Sequence, residues 1–117
     1  MQVQFTPNEL RLLNDTLARN HGELVREISR TEHREFKHEL QQKLDLLARV
    51  QAKLARGTFD FFGNELDFLA ETLEYYERQL YAEIARTDRR EFKHELQSRL
   101  EFLAQAHRKI SGACRLA

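Results

Sequence analysis

The sequence predicts an all-α protein, a tandemly duplicated helical hairpin that closes into an antiparallel four-helix bundle. Three observations carry that prediction. Residues 34–41 read REFKHELQ and residues 90–97 read REFKHELQ again, and sliding residues 5–54 onto 61–110 without a gap matches 24 of 50 positions. Within each half, apolar residues recur at three- and four-residue spacing, the pattern of one buried helical face. A single proline and four glycines leave little to interrupt long helices.

At 117 residues the chain fits one domain, 1–117. It divides into repeat 1 (residues 5–56), a linker (57–62) and repeat 2 (63–112).

The first helix has a full start signal. Thr6 stands at the N-cap, Pro7 at the first helical position, and Glu9 three residues after Thr6 completes a capping box. Phe5 and Leu10 are spaced as a hydrophobic staple. Leu10, Leu13, Leu17, Leu24 and Ile28 form the apolar stripe, with Gly22 interrupting the helix interior. His21 lies near that stripe and reads as a partly buried polar residue without a ligand role.

The pattern restarts at Arg30-Thr31. Thr31 is expected to cap the second helix, and Thr87 or Asp88 the fourth. Phe36, Leu40, Leu44, Leu47, Val50 and Leu54 share one face of helix two, so a short connection should fold helices one and two into a hairpin. The copy repeats this with Leu66, Leu69, Leu73, Leu80 and Ile84, then Phe92, Leu96, Leu100, Leu103, Ala106 and Ile110. One hairpin alone has too little to bury its stripes against. Two packed face to face bury all four, whereas hairpins pairing between chains are the rival arrangement. In the linker, Phe61 takes the staple position of Phe5, and Phe62 stands where Thr6 stood, so the third helix must find its cap elsewhere, with Asp60 or Thr58 as candidates. Phe59, Phe61 and Phe62 read as closing the core.

Composition excludes several functions. Nineteen basic residues balance nineteen acidic ones, which removes the broad positive field that nucleic acid or an anionic membrane attracts. No apolar run approaches membrane-spanning length. The lone Cys114 cannot form an internal disulfide and suits a reducing compartment, and residues 1–5 lack a signal-peptide layout, so the expected location is cytoplasmic.

The repeated pairs Glu35-x-x-His38 and Glu91-x-x-His94, with Glu27 and Glu83, supply the inventory of a carboxylate-bridged di-metal bundle. The phase opposes that reading. At 100° per residue His38 falls roughly opposite the Phe36–Leu40–Leu47 stripe and Glu35 about 120° from it, whereas metal ligands in a bundle must point inward together. No cofactor is expected. Gly-rich phosphate loops, Cys-x-x-Cys pairs and nucleophile–base motifs are all missing, so the chain does not read as an enzyme.

The remaining signal is a surface. Core packing accounts for Phe36 and Leu40 in the repeated octapeptide but makes no demand on Arg34, His38, Arg90 or His94. Other outward positions differ between the copies, with Arg11 aligned to Asp67, Ala18 to Glu74 and Arg19 to Tyr75. A charge network around the turn, residual similarity from duplication, and a binding surface each explain that agreement. Helix three, expected over residues 63–85, carries Glu65, Asp67, Glu71, Glu74, Glu77 and Glu83 against the single base Arg78. It is also expected to present Phe68 and Tyr75, one heptad apart, on its outward side. An acidic face with outward aromatics suits a protein partner or a second copy. The expected function is a small helical protein–protein interaction or adaptor module; the alternative is a metal- or ligand-binding bundle using the Glu-x-x-His pairs.

Overall fold

A computed structural model describes residues 3–116, with side chains described through residue 113. Four helices follow one another, α1 (Pro7–Arg30), α2 (Arg34–Ala55), α3 (Gly63–Arg86) and α4 (Arg90–Leu116), packed as a four-helix bundle. The bounds of α1 shifted by the repeat length of 56 are those of α3, and α2 and α4 start at equivalent residues.

The capping box of α1 forms as its sequence dictates. Thr6 Oγ1 accepts from Glu9 N at 3.2 Å and Glu9 Oε1 accepts from Thr6 N at 2.9 Å. At α3 half of that box survives. Phe62 occupies the N-cap, where it has no acceptor side chain to offer, yet Glu65 Oε1 still accepts from Phe62 N at 2.7 Å. Neither Asp60 nor Thr58 takes the cap position.

The turns correct a second expectation. Thr31 and Thr87 do not start the following helices; they close the preceding ones. Thr31 Oγ1 donates to Glu27 O and Thr87 Oγ1 to Glu83 O, both at 2.6 Å, while their backbone N–H groups reach Ile28 O and Ile84 O. A threonine hydroxyl bonds back one turn as readily as it caps forward. The N-cap of α2 is His33, with no side-chain cap bond. Helix α2 ends in a Schellman motif: Gly57 N donates to Leu54 O and Thr58 N to Lys53 O, with Gly57 at φ 73°.

Leu13, Leu17, Leu47, Leu66, Leu69, Leu73, Leu103 and Ile110 are almost wholly buried and come from all four helices. Each such side chain contributes about 1.5–3 kcal/mol relative to exposure. Helix α1 packs on α2 and α4, α3 on α4 and α2, and α1 meets α3 across the middle. Near the linker the amino-terminal segment joins the core. Val3 N donates to Phe59 O at 2.9 Å, the Phe5 and Phe59 rings meet edge to face at 5.8 Å, and Val3 and Phe61 are buried. Phe59 is half-buried and Phe62 is 68% exposed, so one of the three linker phenylalanines does not close the core.

The core stops short of the turns. No residue in 25–39 or in 77–95 is buried. Phe36 and Phe92, assigned to the core stripes by their period, are 44% and 42% exposed, and Ile28 and Ile84 are only half-buried. The radius of gyration, 15.1 Å, exceeds the roughly 13 Å of a compact domain of this length. A periodic stripe reports which face is apolar; it does not report whether a neighbouring helix reaches that level.

Candidate functional site

Two acid–base pairs, each with a buried glutamate, tie the halves together. Glu65, wholly buried at the start of α3, receives Lys53 Nζ from the end of α2 at 2.6 Å. Glu9, at the start of α1, receives Lys109 Nζ from α4 at 2.5 Å. Lys53 and Lys109 are equivalent repeat positions, as are Glu9 and Glu65. Each lysine therefore pairs with the glutamate of the other repeat; Lys53–Glu65 sets the end of α2 beside the start of α3, and Lys109–Glu9 ties the second half of α4 to the start of α1. Burial pushes the Glu9 carboxyl up, but hydrogen bonds from Lys109 and the Thr6 backbone, with the lysine charge, outweigh it and hold it below its usual range. The capping role of Glu9 was legible in sequence; its lysine partner was not. The identity of Lys53 and Lys109 within a stretch where their neighbours differ was the available signal.

Phe68 overturns its sequence assignment. It is buried in the core at 8% exposure, whereas Tyr75 is 44% exposed. The two do not form an outward strip, because the α3 face that meets α1 and α2 is broader than the Leu66–Leu73–Leu80 line and takes in Phe68. The next residue, Tyr76, is buried as well, and its hydroxyl donates to Glu23 at 2.8 Å. Burial and the Glu23 carboxylate push this phenol well above its ordinary value, so it stays a donor.

Arg34, His38, Arg90 and His94 are all exposed, as are Glu35, Glu91 and Glu27, while Glu83 is half-buried. Among the described residues no three His, Cys, Asp or Glu side chains gather in a metal-binding group. His21 is exposed, not partly buried. No described helix is long and apolar enough to cross a membrane.

The structure does bring other residues together. Val25 and Tyr81 are equivalent positions flanking the two turns, as are Phe36 and Phe92, and all four are more than 40% exposed. Glu71, Phe68 and Tyr75 of α3 line a groove of about 360 Å³ with Phe36 and Lys43 of α2 and Glu27 of α1. Its repeat-related counterpart, about 240 Å³, lies between α1, α3 and α4 beside Arg19, Tyr76 and Arg99. Comparisons of the chain with protein-family models, with curated proteins and with solved structures found no match.

Proposed function

We propose that this chain is a small, non-enzymatic protein–protein interaction module that contacts its partner, or a second copy of itself, through the turn end of the bundle. The observation that carries the reading is the matched exposure of Val25 with Tyr81 and of Phe36 with Phe92. Large apolar residues standing in water at equivalent places in both halves forgo the gain of burial twice over. An interface supplies that gain, and aromatic residues are enriched at interface centres. Arg34, His38, Arg90 and His94, exposed beside them, provide a polar rim. No observation favours the metal-binding alternative.

The test replaces Phe36 and Phe92 by serine together. Thermal unfolding should move little, since exposed positions contribute within about 0.5 kcal/mol. Site-specific photo-crosslinking from the exposed turn-end positions 25 and 81 in the native cell should yield discrete adducts that are lost when the serine variant is used. A control crosslinker at exposed Arg49 should yield none. Adducts absent from both turn positions, or equal at the control position, would defeat the reading.

A further inference from the structure

The two repeat-related grooves have diverged in a way that points to an occupant for one of them. The α1–α3–α4 groove is internally neutralised, with Asp15 and Glu83 facing Arg19 and Arg99. It is also partly filled by Tyr76, whose ring lies 5.7 Å beneath the Arg19 guanidinium. In the α1–α2–α3 groove the position equivalent to Tyr76 is Asn20 and the position equivalent to Arg19 is Tyr75. The groove is correspondingly larger, about 360 Å³ against about 240 Å³.

Its chemistry is that of a cation receptor. Phe36, Phe68 and Tyr75 supply aromatic walls, and Glu23, Glu27 and Glu71 face the single ammonium of Lys43. Glu23 is engaged by Arg19 and Tyr76, but Glu27 and Glu71 make no ion pair within 4.0 Å among the described residues. Asn20 Oδ1, in the same lining, is a buried acceptor with no hydrogen-bond partner. An arginine matches all three features: its planar guanidinium stacks on aromatic rings, donates in several directions, and pairs with carboxylates.

We infer that the groove between α1, α2 and α3 receives an arginine-bearing segment of a protein partner, the guanidinium lying among Phe36, Phe68 and Tyr75 and pairing with Glu27 and Glu71. This rests on the interaction-module reading and specifies the partner's chemistry. The turn-end apolar residues and the groove meet at Phe36, so a segment crossing the turn end of α2 can place one arginine inward.

The probe is a 16-residue helical peptide with leucine on one face and one central arginine, compared with the same peptide carrying neutral citrulline there. Binding is followed by NMR and calorimetry on the full chain. The arginine peptide should bind about tenfold tighter than the citrulline peptide, and it should shift the Phe36, Phe68 and Tyr75 ring resonances. Glu27→Gln with Glu71→Gln, both at exposed positions, should erase that difference without loss of fold. Asn20→Tyr, which installs the residue the other repeat already carries, should block binding of both peptides. Equal affinity for the two peptides, or retention of the preference in the Gln variant, overturns the proposal. Such a failure with turn-end crosslinking intact leaves the interaction-module reading standing. Concentration-dependent dimerisation of the unliganded chain that Asn20→Tyr abolishes would assign the groove to a second copy and also overturn it. Phe92→Ser, outside the groove, should leave the arginine preference unchanged.

Discussion

At the linker end of the bundle Val3, Leu54, Phe61 and Leu66 are buried and two lysine–glutamate pairs join the halves; at the turn end Phe36, Tyr81 and Phe92 stand in water. Both ends belong to the same four helices, with apolar stripes running through both. The difference lies in what each stripe meets. Near the linker the four helices, the amino-terminal segment and the linker itself supply neighbours on every side. Toward the turns no residue in 25–39 or 77–95 is buried, and at Phe36 the helices leave an open groove, so the same apolar residue type is buried at one end and exposed at the other.

Phe68 and Tyr75 offer the sharpest way to break this comparison. Phe68→Ala should cost about 3–5 kcal/mol in urea unfolding, the range for truncating a buried phenylalanine. Tyr75→Ala should stay within about 0.5 kcal/mol. Equal and small losses would return Phe68 to the surface.

The acid–base pairs come next. Lys53→Ala leaves the wholly buried Glu65 carboxylate without its cation and should cost about 3–5 kcal/mol, measured by the same denaturant titration. Lys109→Ala should cost less, because the Lys109 side chain is 38% exposed. Replacing Lys53 by Met and Glu65 by Leu together should recover most of the loss, since apolar packing substitutes for a buried ion pair. A double variant as unstable as Lys53→Ala would show that Glu65 is needed for the start of α3 by itself.

Acid should act on the same end. A carboxyl held below its usual value stabilises the fold above the unfolded-state pKa and loses that contribution as pH falls through the folded value. For Glu9, whose ordinary value is 4.5, stability should therefore decline as pH drops below that region. Glu9→Gln should be less stable at neutral pH and show a shallower decline in acid. An unchanged acid limb would remove Glu9 from the titrating set.

The smallest effects separate two glycines. Gly57→Ala should cost about 1 kcal/mol, because the Schellman turn holds position 57 in the left-handed region. Gly112→Ala should gain up to about 1 kcal/mol, since α4 is helical there and an added Cβ meets nothing within 4 Å. Both are read from thermal unfolding, and a loss at position 112 would place an unrecognised contact on that face of α4.

Local chemistry determined much of this protein without any tertiary information. Thr6, Pro7 and Glu9 sit next to one another in the chain, so their capping bonds needed nothing beyond the first turn of α1. The apolar periods of residues 10–54 and 66–110 were enough to place four helices, because a helix is a repeat of short-range contacts. The exposure of His38 and His94 followed from the same phase. Tertiary structure decided what a period cannot state: how wide each buried face is and how far along each helix it extends. Phe68 is buried because α3 touches two neighbours on that side. Phe36 and Phe92 are exposed because the closely packed core stops short of the turn end, although their phase is that of Leu40 and Leu96. The pairing of Lys53 with Glu65 and of Lys109 with Glu9 is likewise a product of packing, since each joins one repeat to the other. The groove beside Tyr75 likewise depends on three helices meeting.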